Sequence, residues 1–328
     1  MRKLTYSKSI NEALHQMMKK DSRVFLVGQG CKSPWYVGNT CDGLIDKFGE
    51  ERVIDTPVSE NGVTGAAVGA ALAGLRPIVV HPRVDFMVYG LDPIINEAAN
   101  WCYMSGGTAN VPVVIWGIIN RGGEQAAQHS QALQAIFAHI PGLKVVMPST
   151  PCDAKGLLAA AVRDENPVVY IDDRWLHKDE GEVPKELYYT EIGKGAVRKN
   201  GKDITIVGIS YMAREAVKAG AELKKHGINA EIIDARSVKP LDMPLIKKSV
   251  RKTGRLLVTE GAWQTGGIAG EVIAGVVSDP DTWKSLKAAP ARVALPDVPA
   301  PASKTLEAAY YPGAKDIVIA AQDICHKK

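Results

Sequence analysis

Glu60 is the carboxylate whose surroundings most invite chemistry. It ends the run Asp55-Thr-Pro-Val-Ser-Glu60, follows a predicted strand, and opens a helix of almost wholly small residues that reaches Gly74. Glycines at 62, 65 and 69 recur at three- and four-residue spacing. One face of that helix is therefore nearly bare, which suits a close crossing with another backbone, as at a subunit interface. By residue type alone, a glutamate in a first helical turn answers the helix dipole. His129 lies in Ala127-Gln-His-Ser-Gln131, a loop between a predicted strand and a helix. A lone loop histidine is ordinarily solvated or a cap, but imidazole titrates in the range that proton transfer needs. His81 and His139 have no comparable context, and His139 reads as structural.

The elements that must position these residues follow an α/β rhythm. Short β-rich runs alternate with helical patterns in both halves, the mark of parallel sheets covered by helices. Strands are predicted at Arg23–Val27, Arg52–Ile54, Pro77–Val80, Val111–Trp116, Lys144–Val146 and Pro167–Ile171, with helices at 8–19, 62–74, 92–104, 131–138 and 152–163. The rhythm lapses in a polar stretch carrying Lys178-Asp-Glu-Gly-Glu and Pro184. The expected organisation is a domain at 1–177, a linker at 178–194 and a smaller, also doubly wound domain at 195–328. In the latter, strands are predicted at Ile204–Gly208, Ala230–Ile233 and Leu256–Val258, helices at 211–226, 242–251, 267–277 and 314–325, and an extended crossing at Pro296–Pro301.

Composition excludes several classes. The 328 residues are 46% hydrophobic and 23% charged, ordinary for a soluble protein with two cores. A formal charge of +4, spread without a basic block, gives no argument for nucleic acid. The amino terminus lacks the apolar core of a signal peptide. The longest apolar stretch, Ala66 to Leu75, reaches about half a membrane span. Cysteines at 31, 41, 102, 152 and 325 form no C-x-x-C pair, so neither zinc nor a disulfide framework is implied, and reduced, cytoplasmic thiols are expected.

A resemblance spans essentially the whole chain. Arg52-Val-Ile-Asp-Thr-Pro-Val-Ser-Glu60, Ala70-Ala-Leu-Ala-Gly-Leu-Arg-Pro77, Tyr103-Met-Ser-Gly-Gly107, Ala127-Gln-His129-Ser-Gln131 and Pro141-Gly-Leu-Lys-Val-Val-Met-Pro-Ser-Thr-Pro151 carry it, and Arg236-Ser-Val-Lys-Pro-Leu-Asp242 and Val258-Thr-Glu-Gly261 continue it in order. The chain resembles the beta subunit of the thiamine-diphosphate-dependent decarboxylating component of 2-oxo acid dehydrogenases, of the pyruvate or branched-chain type, within the transketolase-like superfamily. The resemblance implies a pyrimidine-binding domain followed by a transketolase C-terminal-like domain. It places Glu60 against the pyrimidine N1′ of thiamine diphosphate, where a carboxyl group of raised pKa favours the imino tautomer and creates an internal base beside thiazolium C2. It makes His129 a proton donor or acceptor near the substrate carbonyl or transferred acyl group. Phe86 falls where the family sets an aromatic ring against the pyrimidine, and Tyr89, where a polar residue is common, is counted with it in lining the cofactor. Backbone carbonyls of Val113, Ala161, Val162, Asp164 and Asn166 are implied ligands of a potassium ion.

Other implications follow from what is missing. The Gly-Asp-Gly motif with its downstream Asn, which holds Mg²⁺ and the diphosphate, is absent; Cys41-Asp-Gly43 is the nearest string. A separate alpha subunit is thus implied, with an alpha2beta2 tetramer and, in lipoyl-dependent systems, a lipoyl acyltransferase partner. Val80-His-Pro-Arg-Val84, the run Gly117 to Gln125, and Ala302 in place of a usual tyrosine depart from the family pattern. They suggest a divergent member, with Arg83 and Arg121 facing an anionic acceptor. A split transketolase, transfer to a non-lipoyl carbonyl acceptor, and a non-catalytic assembly subunit are the alternatives.

Overall fold

The computed structural model describes residues 2–33 and 35–326, in two compact units. The first runs to Arg121 and resumes over Gln128–Ile192; the second comprises Gly122–Ala127 and the chain from Gly193 onward.

The first unit contains strands β1 (Arg2–Thr5), β2 (Val24–Gly28), β3 (Val53–Asp55), β4 (Arg76–His81), β5 (Val114–Ile119), β6 (Lys144–Val146), β7 (Val168–Asp173) and β8 (Glu180–Val183). Six of them form parallel ladders in the order β6-β7-β5-β4-β2-β3. Every residue of β4, β5 and β7 is buried, which explains why these strands read as continuous apolar runs without alternation. Burying Ile78, Val79 or Val80 contributes roughly 1.5–3 kcal/mol each. One covering helix, Tyr6–Lys20, starts where Thr5 accepts from the Lys8 amide and buries Ile10, Leu14 and Met17 along one stripe. It packs on the helix Pro151–Arg163, whose Thr150 cap and Pro151 at the first position are a sequence-readable start.

The element boundaries mostly agree with expectation, and the exceptions have causes. β5 begins three residues late, because Val111 to Ile119 is apolar throughout and offers no period to set its register. Helix 92–104 opens with a π-helical stretch, Pro93–Ala98. β1 pairs antiparallel with β8, inside the stretch expected as a polar linker. Both strands are short and mostly polar, so no apolar pattern announces them.

The second unit holds β9 (Ala196–Lys199), β10 (Ile204–Gly208), β11 (Ala230–Asp234), β12 (Ser237–Lys239), β13 (Leu256–Trp263) and β14 (Ala291–Leu295). Its sheet has the order β14-β13-β10-β11-β9, parallel except for the antiparallel edge strand β9. Helices Tyr211–Lys225, Met243–Thr253, Ile268–Val277 and Ala314–His326 match the predicted ones, and two short helices, Pro280–Ser285 and Lys304–Tyr310, were not predicted. Both halves are therefore α/β, as the alternation of elements implied.

Candidate active site

In an open parallel sheet, ligands bind beyond the carboxyl ends of the strands where the strand order reverses. Here the chain passes from β2 outward to β3, then crosses back to β4 on the other flank of β2. The reversal lies between β2 and β4. A cleft opens at that place, lined by Gly28, Gln29, Ser59, Glu60, Val80 and His81 among others. Gly28 lets the two strand ends meet: its φ is +148°, and a Cβ there would lie 2.3 Å from the carbonyl oxygen of Val80.

Glu60, half-buried, is the first residue of the helix Glu60–Leu72. Its carbonyl oxygen accepts from the Thr64 hydroxyl at 2.6 Å, and that hydroxyl lies 3.3 Å from Nε2 of His81. The Thr64 proton is spent on Glu60, so His81 must donate through Nε2–H, and this fixes its tautomer. His81 is fully enclosed, and burial lowers its pKa to about 4, so the ring is neutral near pH 7.

His129 meets Phe86 on the segment that follows β4, four residues beyond the cleft-lining Pro82. Their ring centroids are 5.3 Å apart at an interplanar angle of 84°, an edge-to-face contact. Asp85 anchors the arrangement: its Oδ1 accepts from the Gln131 backbone amide at 3.1 Å and from Gln131 Nε2 at 2.9 Å. Burial pushes the Asp85 carboxyl above its ordinary value, against the pull of those donors and of His129. The His129 loop is thereby tied to the short helix Val84–Met87 that carries Phe86.

Residues 2–177 match the family model of the transketolase pyrimidine binding domain, and residues 193–317 that of the transketolase C-terminal domain. The beta subunit of acetoin:2,6-dichlorophenolindophenol oxidoreductase from Cupriavidus necator is 43% identical, covering 98% of this chain and 97% of its own length. The pyruvate dehydrogenase E1 component subunit beta of Rhizobium meliloti is 39% identical, with 100% of this chain and 71% of the relative covered. A solved structure described as a split gene transketolase, inactive beta4 tetramer, superposes with a TM-score of 0.77 at 25% identity, covering 98% of both chains. The chain belongs to the transketolase-like beta-subunit family.

Within this family frame, the remaining predicted residues divide. Tyr89 sits in the turn Val88–Gly90 beside the Glu60 helix, its carbonyl accepting from Asn61 at 3.3 Å, with 73% of the residue exposed. Arg83 is half-buried and donates through Nη1 to the Pro82 carbonyl at 2.7 Å. Arg121 departs from expectation. It is buried, its Nε lies 2.9 Å from Asp173 Oδ2, and its guanidinium covers the Trp175 ring at 5.8 Å, so it is not offered to an acceptor. The reason is a counter-charge on the neighbouring strand β7, which sequence spacing does not reveal. The carbonyls of Val162 and Asp164 accept from Arg76 Nη1 at 3.0 and 3.1 Å; those of Ala161 and Val113 accept from the Asp164 and Val168 amides. Each keeps a lone pair, so a potassium ion would share these oxygens with protein donors. The Asn166 amide binds Asp164 Oδ1.

His81, Asp85 and Arg174 were passed over in the sequence. All three lie at or just beyond the carboxyl ends of β4 and β7, so the rule that ligands gather at that edge was the signal for them.

Proposed function

We propose that this chain is the pyrimidine-side half of a thiamine-diphosphate-dependent 2-oxo acid dehydrogenase, acting on pyruvate or a branched-chain oxo acid and completed by an alpha subunit. The observation that carries the reading is Glu60, presented in the cleft at the carboxyl ends of β2 and β4, where the strand order reverses. Thiamine diphosphate, when bound here, would supply a nucleophilic carbon and an electron sink for decarboxylation of a 2-oxo acid. Glu60 holds a proton at the pyrimidine N1′. Phe86 and Tyr89 flank the ring, and His129 moves a proton at the oxygen of the substrate carbonyl or acyl group. The Thr64 and His81 contacts fix the main chain of Glu60 and leave its carboxylate free to turn.

Trp35, Val58 and Tyr89 are 71%, 68% and 73% exposed, and Val58 adjoins the cleft-lining Pro57 and Ser59. Large apolar groups left exposed in this way support a covering second chain, which in this reading carries the Mg²⁺ and diphosphate site within an alpha2beta2 tetramer. A lipoyl acyltransferase as acceptor, and potassium on the carbonyls around Asp164, belong to the same proposal, as does the division into domains at 1–177 and 195–328. So does a cytoplasmic setting, which five free cysteines support. No helix among the described residues is long and apolar enough to cross a membrane.

The test is purification with the alpha chain, followed by carbon dioxide release from pyruvate and branched oxo acids. Glu60→Gln keeps the shape of the side chain but cannot exchange its proton, and turnover should fall at least a hundredfold, within the range ascribed to general acid-base groups. Undiminished release by Glu60→Gln overturns the mechanism. Ketol transfer between sugar phosphates is the second reading, favoured by the likeness to the split gene transketolase.

A further inference from the structure

The chain leaves the first unit at Arg121 and returns to it at Gln128, one residue before His129. The residues between, Gly122–Ala127, belong to the second unit and lie outside any helix or strand. Four of their φ angles are positive: +79° at Gly122, +67° at Gly123, +61° at Glu124 and +60° at Ala126. Glycine adopts such angles freely, but glutamate and alanine do so at a cost and keep them only where the surroundings impose them.

Glu307 supplies that constraint. The Glu124 amide donates to both of its carboxylate oxygens, at 3.2 and 3.1 Å. Glu307 is 7% exposed and pairs with no lysine or arginine among the described residues, so its charge serves as acceptor to a main-chain amide. An enclosed carboxylate needs such a donor, and a bond to a charged acceptor is stronger than one between neutral groups. The hold has a firm base. Glu307 sits on the helix Lys304–Tyr310, whose Tyr310 packs with Leu295 and Ala300 and donates through its hydroxyl to the Val298 carbonyl at 2.8 Å.

His129 follows Glu124 by five residues, and the chain itself is the link between them. The Asp85 bond to the Gln131 amide fixes where the loop ends, and the Glu307 bond fixes the direction from which the chain arrives. Released from Glu307, Glu124 and Ala126 can relax to negative φ, and a torsional change of that size swings the chain beyond it, His129 included. A displacement of about 1 Å at a reacting group can cost on the order of a hundredfold in rate.

We propose that Glu307 is a positioning residue for His129, acting through the main chain of Glu124. The inference rests on the reading of His129 as the proton-transfer group, and it gives a residue of the second unit a part in turnover.

The test uses the enzyme co-purified with its alpha chain and saturated with thiamine diphosphate and Mg²⁺, assayed by carbon dioxide release from the oxo acid it turns over fastest. Glu307→Ala should lower kcat at least about tenfold and leave KM within about twofold, because proton transfer is disturbed and substrate binding is not. Glu307→Gln keeps an oxygen for the Glu124 amide and should recover most of the loss. In a His129→Ala background, Glu307→Ala should cost less than about twofold, since a residue that acts through His129 has nothing left to position. Hydrogen exchange at residues 123–127 should quicken about tenfold in Glu307→Ala while the helix Tyr211–Lys225 stays protected. Should Glu307→Ala fail to fold, Glu307→Met, which fills the volume without accepting the amide, carries the same comparison. Undiminished kcat in Glu307→Ala beside a crippled His129→Ala, or an equal loss in both backgrounds, overturns the positioning role and leaves the reading of His129 standing. Undiminished turnover in His129→Ala removes that reading, and the proposal with it.

Discussion

Replacing Arg121 by methionine should destabilise the first unit heavily. The Arg121 and Asp173 side chains are 1% and 0% exposed with 2.9 Å between Nε and Oδ2, so the substitution leaves a carboxylate enclosed without its counter-charge. Breaking a buried pair in this way costs about 3–5 kcal/mol. At roughly 2–4 °C per kcal/mol for a unit of this size, the unfolding midpoint should drop by about 6–20 °C. Thermal unfolding followed by tryptophan fluorescence measures it, with Trp116 and Trp175 nearby as reporters, and in urea the denaturant midpoint should move while the slope does not. The pH dependence has a definite sign. Burial already raises the Asp173 carboxyl although Arg121 opposes the rise, so losing Arg121 raises it further. The folded variant then binds a proton that the unfolded chain releases near pH 4, and its deficit is full above the folded pKa and shrinks as pH falls towards 4. Arg121→Met combined with Asp173→Asn should recover most of the loss. A single variant within about 1 kcal/mol of wild type at pH 7, the worth of an exposed pair, would refute the reasoning.

Two further outcomes test the site's scaffold. His81 titrates at about 4 when folded against about 6.5 when unfolded, so it contributes on the order of 3 kcal/mol above pH 6.5 that is lost as pH falls to 4; in His81→Phe this slope should vanish from the unfolding free energy measured across that range. Asp85→Ala removes the acceptor of both Gln131 donors, and hydrogen exchange at residues 128–131 should quicken at least tenfold while the helix Pro151–Arg163 stays protected.

The parts legible in the sequence were those whose signal is local. Lys144–Val146 was read to the residue because Gly142 and Pro148 bracket it, and the helix Pro151–Arg163, expected at 152–163, to within one residue because an apolar stripe marks it. Glu60 was singled out through the family resemblance, since its strand-to-helix setting alone is that of a carboxylate answering the helix dipole. What escaped depends on partners distant in sequence. β1 finds β8 across the whole unit, and neither carries an apolar face to advertise the pairing. Arg121, followed by two glycines, reads as a loop arginine until β7 brings Asp173 against it. His81 ends an apolar run and resembled a strand terminus, because its contact with Thr64 spans a crossover that no period encodes.

The bond from Thr64 to the Glu60 carbonyl also divides the site in time. It closes the first turn of the helix on itself, and His81 holds it from the β4 side, so the main chain at Glu60 has little freedom on any timescale short of local unfolding. The carboxylate beyond it can still change rotamer in picoseconds to nanoseconds. A ligand entering this cleft therefore meets a rigid floor with one fast-moving group, and its arrival is not gated by slow rearrangement of the helix that presents that group.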